Sequence, residues 1–358
     1  MTSFAPITAA VADRTAVLTL NRPEPMKAWT PVVAREVRAA VAAGRDPEVR
    51  AVVIAGAGRA LCAGGAVTAM GPARPAAPPP GGLHRALTPS FRAETRAGHG
   101  NAMGDVLAGT SGLVGIAEIN RPPHNFFDKE LIGALAEAFD GFVRQGMRAI
   151  LLCAAGKNFC AGANFSRPAS DTVGAADDRG TDHLYRHAVR LFRCPLPVVA
   201  AVQGGAIGGG LGVAMVADFR VASESTRFSA NFNRLGFHPG FGLSVTLPRV
   251  LGPQKAALLL YTGRRITGTE AHAIGLADVL APPERLRETA MALAAEIAQS
   301  APLAVQSTRA TLRGDLADRV AAATDHELAQ QEVHFATADF QEGVRAMAER
   351  RLPHFEGR

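Results

Sequence analysis

Twenty-three consecutive residues, 195–217, carry no charged side chain, and this run limits the fold more than any other segment. It is long enough to span a bilayer, and Gly204/Gly208 and Gly208/Gly212 have the spacing of packed membrane helices. Six glycines between 204 and 212 argue against a continuous helix, because each costs about 1 kcal/mol relative to Ala. The run reads instead as a buried strand over 197–202, a Gly-rich turn, and a helix opening at 211–217. That pattern argues against a membrane span.

Glycines between a strand and a helix let the backbone approach a ligand closely and aim amides at negative charge. A dinucleotide fingerprint requires glycines at i, i+2 and i+5, and no start from Gly204 to Gly210 supplies them. A P-loop requires Gly-Lys-Ser/Thr, and no Lys lies between Lys157 and Lys255. The remaining chemistry is stabilisation of an oxyanion by backbone N–H groups. The net charge of +6 suits an anionic ligand but falls far short of a nucleic-acid-binding stripe. At 47% hydrophobic and 20% charged, the chain is apolar enough for a sizeable core. Cys62, Cys153, Cys160 and Cys194 form no C-x-x-C pair or zinc spacing, so neither a disulfide framework nor a metal site is expected. With no secretory pattern in the first residues, reduced thiols in the cytoplasm are the expectation.

Residues 71–94 are rich in Pro, Ala and Gly without apolar periodicity and read as a linker. On either side of it a unit repeats. Leu20-Asn-Arg-Pro23 recurs as Ile119-Asn-Arg-Pro122, and Leu61-Cys-Ala-Gly64 as Phe159-Cys-Ala-Gly162. The front copy stops soon after Met70 and lacks the Gly-rich turn. In the back copy Asp128 is expected to cap a helix with Leu131, Leu135, Ala138, Phe139 and Phe142 on one face. The C-terminal third is expected to be helical, with Leu286, Ala290, Leu293 and Ile297 in one stripe and breaks at Pro302 and Pro353.

Asn120-Arg-Pro122, Phe159-Cys-Ala-Gly-Ala163, Pro197-Val-Val-Ala-Ala-Val-Gln-Gly204, Gly208-Gly-Gly210, Ala217-Asp218, Gly252, Thr262-Gly263 and Gly275-Leu276 together carry a resemblance. Residues 112–358 resemble the crotonase superfamily, also called the enoyl-CoA hydratase/isomerase family. The resemblance implies an α/β spiral of ββα turns with a helical C-terminal region. The implied layout is a partial crotonase-like repeat over 1–70, the linker 71–94, a spiral core 95–285 and helices 286–358. It further implies a homotrimer or dimer of trimers. The ligand would be an acyl-CoA or acyl-carrier thioester, whose coenzyme A or phosphopantetheine belongs to the substrate, with no separate cofactor. The backbone amides of Ala163 and Gly209 would hold the thioester oxygen, with Gly162, Gly208, Gly210 and Phe232 around the substrate.

Hydratases of the family use two glutamates, and the matching positions here are Gly212 and Phe232. Neither residue moves a proton, so isomerisation or decarboxylation is expected over standard hydration. The run Ser229-Ala-Asn-Phe-Asn233 and the turn Gly236-Phe-His-Pro-Gly240 resemble a branch that decarboxylates carrier-bound thioesters with a C-terminal His and a loop Lys. His326 and His334 lie on such a helix, but no Lys occurs between Ser166 and Cys194. His238 is the leading replacement acid or base, because imidazole titrates near neutrality. Asn231 and Asn233 are candidates to orient a water or carboxylate, the alternative being loop-capping amides. Asp177, Asp178, Asp182, His183 and His187 offer further acids and bases in the loop, and Cys160 reads as a small core residue. The competing expectation is a catalytically silent homologue that binds acyl-CoA or stabilises an oligomer.

Overall fold

The computed structural model describes residues 2–4, 7–12, 15–21, 30–43, 49, 51–58, 61, 101–103, 105–165 and 183–358. The linker 71–94, together with Cys62, Asp177, Asp178 and Asp182, lies outside the described residues. The chain divides into two compact units, Met1–Arg92 and Ala93–Arg358.

In the first unit, strands β1 (Thr2–Phe4), β2 (Ile7–Ala12) and β3 (Thr15–Leu20) pair antiparallel in sequence. Helix α1 (Pro31–Ala43) then leads to β4 (Ala51–Gly56), parallel to β3. Ile7, Leu20 and Val33 form its small core. The β4 side chains Val52, Val53 and Ile54 are exposed.

The second unit opens with the same order and the same pairings. Strands β5 (Asn101–Met103), β6 (Val106–Ser111) and β7 (Val114–Ile119) run antiparallel, and α2 (Lys129–Arg144) connects to β8 (Ala149–Ala154), parallel to β7. β6 starts 99 residues after β2, and β8 starts 98 after β4. Here β8 is buried throughout, because the sheet continues beyond it.

That continuation is a spiral. Helix α3 (Leu184–Arg193) leads to β9 (Val198–Val202), β10 (Gly205–Ile207) and α4 (Gly209–Met215); β11 (Phe219–Ala222), β12 (Arg227–Ser229) and a 3₁₀ turn (Asn231–Leu235) then lead to α5 (Leu243–Leu251). Helix α6 (Pro253–Thr262), β13 (Arg265–Thr267), α7 (Gly268–Ile274) and β14 (Val279–Leu280) complete the core. The seven-stranded sheet has the order β14-β11-β9-β8-β7-β6-β5, and β10-β12-β13 form a second, small sheet. Each turn thus sends one strand through the large sheet and one through the small stack, which the Phe127–Ala163 and Cys160–Ala206 bridges extend.

Period-two alternation splits the parallel strands between two cores. Ile150, Leu152, Val198, Ala200 and Val202 face the main core with α2, α3 and α4. Ala149, Leu151, Cys153, Val199 and Ala201 face α8 (Leu286–Gln299). On α8 the fully buried stripe is Leu286, Ala290, Ala294 and Ala298, while Leu293 and Ile297 are only partly buried. The expected stripe is therefore rotated: close packing against the sheet selects small side chains and pushes the larger ones to its margin. Helices α9 (Pro302–Arg313), α10 (Leu316–Phe335) and α11 (Ala338–Ala348) follow, with Pro302 starting α9 rather than merely ending its predecessor.

Two polar anchors hold this framework. Asp128 caps α2 by accepting from Leu131 N at 2.9 Å, and its other oxygen accepts from Arg121 Nη1 at 2.5 Å. Asp128→Ala should lower unfolding free energy by about 1 kcal/mol in a urea titration, the ordinary worth of an N-cap. Asp218 accepts from Val198 N (2.8 Å), Arg309 Nε (2.8 Å) and Arg313 Nε (2.8 Å), joining the sheet to α9.

Candidate functional site

The spiral brings the Gly-rich turn against the end of the preceding turn. Gly162 (φ +92°) and Gly208 (φ +56°) both take left-handed backbone, which glycine adopts without steric cost. A Cβ at Gly162 would also lie 2.8 Å from Ile207 O. Cys160 N donates to Gly205 O (2.9 Å) and Ile207 N to Cys160 O (3.1 Å), clamping the two segments together. Gly208 N is used by Ser229 O at 2.8 Å. Gly209, the first residue of α4, has no intrahelical acceptor for its N–H.

These residues border a cavity of about 410 Å³. Ala163, Gly209, Asn231, Gly162, Gly208 and Phe232 all line it. No Asp, Glu, Lys or Arg occurs among its described lining residues, and its polar side chains are His124, Asn164, Tyr185 and Asn231. His124 stands exposed, its ring 5.1 Å from that of Phe126. Val344, Met347 and Ala348 of α11 contribute another part of the wall.

Three expected site residues lie outside the lining. Gly210 is a packing residue, since a Cβ there would overlap the Cys160 carbonyl oxygen. Asn233 fixes the 3₁₀ turn by donating from Nδ2 to Tyr261 O at 2.5 Å. His238 turns toward α10, where its ring lies 5.8 Å from His326 and 6.5 Å from His334. Its Nδ1 is 2.8 Å from Pro239 O, and its backbone N–H donates to His334 Nδ1 at 3.1 Å. His238 is thus engaged in joining loop and helix rather than facing the cavity. No group of three or more His, Cys, Asp or Glu side chains among the described residues is placed to hold a metal ion.

Burial lowers the His238 pKa below the ordinary imidazole range; Pro239 O opposes this, and His326 and His334 add to it. A depressed folded-state value means that the unfolded chain binds the extra proton first. Stability present above about pH 6.5 is therefore lost as pH falls through that value. The melting temperature of the wild type should consequently fall more between pH 7 and pH 5.5 than that of His238→Asn; equal slopes would refute the linkage.

Residues missed by the sequence reading include most of the wall's aromatic rings: Phe127, Phe165, Tyr185, Phe237 and Phe241, with Met347 beside them. Tyr185 Oη donates to Gln331 Oε1 (2.9 Å), and Gln331 Nε2 donates to His238 O (3.0 Å). Burial and the nearby Glu327 raise the phenol pKa, so Tyr185 is a neutral, fixed wall residue. Glu327 accepts from Gly242 N (2.8 Å), Ser244 N (3.2 Å) and Ser244 Oγ (2.5 Å), securing the start of α5. Burial pushes the Cys160 thiol up to about 12, consistent with a core role. Gly212, one position matched to a hydratase glutamate, is buried, and a Cβ there would lie 2.5 Å from Phe241 Cβ. Phe232, the other, puts its ring on the cavity wall.

Residues 109–358 match the enoyl-CoA hydratase/isomerase family model, and residues 15–94 match a second model of the same description. The chain belongs to the enoyl-CoA hydratase/isomerase family. It is 34% identical over 259 residues to a putative enoyl-CoA hydratase of Thermus thermophilus, covering 68% of this chain and 98% of that protein. It is 32% identical over 245 residues to the 1,2-epoxyphenylacetyl-CoA isomerase of Escherichia coli, covering 67% and 94%. The crystal structure of an enoyl-CoA hydratase/isomerase from Pseudoalteromonas atlantica superposes with TM-score 0.63 at 31% identity, over 71% of this chain and 100% of that one.

Proposed function

We propose that the protein binds an acyl-CoA or carrier-borne acyl thioester and stabilises its enolate with the backbone amides of Ala163 and Gly209. The observation carrying this reading is that both residues border one apolar cavity with no charged side chain among its described lining residues. In such a dry site two oriented N–H donors act in a low dielectric, each worth about 3 kcal/mol of barrier. Water addition needs a base to activate the water, and the lining offers no carboxylate for that among described residues. Isomerisation or decarboxylation through the enolate demands less of the side chains. His124 is the lining imidazole available for proton exchange.

The front unit is best taken as a partial duplicate of the first spiral turns, an origin supported by its equivalent order of elements. A homotrimer or dimer of trimers is supported by exposed Leu303 and Leu312 on α9 and Tyr261 on α6. No described helix is long and apolar enough to cross a membrane. A cytoplasmic setting is supported by the buried, unpaired Cys153, Cys160 and Cys194. The second reading, a silent acyl-CoA binder, draws on the absence of charged groups from the described lining. Incubation with enoyl-, dienoyl- and malonyl-type thioesters in deuterated water separates the two. The enzyme reading expects α-proton exchange or product. Binding without either, across the whole panel, would leave only the silent binder.

A further inference from the structure

The cavity wall is far richer in rings than the chain as a whole. Seven of its twenty-two lining residues are Phe or Tyr, whereas only 6% of the sequence is aromatic, so the rings are concentrated at this one place. They come from separate elements and form two clusters. In one, Phe241 meets Phe127 at 5.8 Å and 63° and Tyr185 at 6.4 Å and 86°. In the other, Phe237 meets Phe232 at 5.4 Å and 78° and Phe165 at 5.5 Å and 63°. The rings of all four contacts border the same space, and they meet edge to face.

We propose that the acyl group bound in this cavity is an uncharged aryl group, an inference that rests on the acyl-thioester reading above. An aryl ring entering between the two clusters continues their edge-to-face packing, which favours aromatic over saturated partners beyond the area buried. The rings are held in place before any ligand arrives: Tyr185 is fixed by its hydrogen bond to Gln331, and Phe237 packs behind on Phe335 and Phe340. Little side-chain freedom is therefore lost on binding. An acyl tail ending in a carboxylate would meet no cation among the described lining residues, and a buried charge without a partner is strongly disfavoured. The volume of about 410 Å³ lies within the range of sites that enclose a small organic ligand.

The test uses the full chain and stable thioether analogues of coenzyme A, with affinities measured by calorimetry. Four S-substituents share eight carbons: 2-phenylethyl, 2-cyclohexylethyl, n-octyl and 7-carboxyheptyl. The phenylethyl thioether should bind about fivefold more tightly than the cyclohexylethyl one, the ratio expected from one added aromatic pair. The carboxyheptyl thioether should bind at least about tenfold more weakly than the octyl one. In Phe232→Leu the phenyl-to-cyclohexyl ratio should fall toward one, while the wild-type series stands alone if that variant does not fold. Equal or tighter binding of the cyclohexyl compound, or undiminished binding of the carboxylate, overturns the aryl assignment and leaves thioester binding intact. If none of the four binds and the same four groups carried on phosphopantetheine also fail, both readings are overturned.

Discussion

Gly209→Pro should lower turnover by about 10²–10³-fold beyond whatever Gly209→Ala costs, the usual effect of deleting one oxyanion donor. The comparison with alanine is necessary because any Cβ at 209 overlaps the Phe127 ring. Alanine brings that overlap while retaining the N–H; proline brings it and removes the donor. Proline is tolerated at the first position of a helix, and Gly209 occupies that position in α4. The difference between the variants therefore isolates the amide. If kcat is the same in both, the turn serves packing alone and the enolate must be stabilised elsewhere.

The second large effect concerns stability. Asp218→Ala should lower unfolding free energy by about 3–5 kcal/mol, measured by urea denaturation with an unchanged slope. The Asp218, Arg309 and Arg313 side chains are 16%, 10% and 11% exposed, so removing the carboxylate strands two guanidinium groups in a poorly solvated setting. Val198 N also loses its acceptor. Asp218→Asn keeps an acceptor for that amide but not the charge, and should recover only part of the loss. A cost under about 1 kcal/mol for Asp218→Ala would mean that the cluster is solvated like a surface ion pair.

Much of the fold was legible in local chemistry. Asp128 and its apolar helical face, the strand ending at Val202 and the glycine-led α4 are each decided by residues close together in sequence. The short β10, between turn and helix, was not visible, because its pairing with β12 is set by residues some twenty positions away. In the site, backbone positions were the readable part: glycines at 162, 208 and 209 report a conformation or an approach that only glycine permits. Of the aromatic wall, only Phe232 was readable. Phe127, Tyr185 and Phe241 look like ordinary core residues in sequence, and only the spiral makes them neighbours. The surroundings of His238 were hidden for a related reason: its Gly/Pro-bounded loop is local, but His326 and His334, beside which its ring packs, lie on α10 far along the chain.

The interlock of Gly212 with Phe241 also bears on how this protein can evolve. Because Phe241 Cβ stands where a side chain at 212 would begin, Gly212→Glu alone adds volume to a filled space and should cost stability before it can offer chemistry. Shrinking Phe241 alone opens a void and removes a ring from the wall. A larger side chain fits at 212 only if Phe241 changes with it. Either single step is a disadvantage, so the two positions are coupled, and what position 212 can carry is set by what position 241 carries.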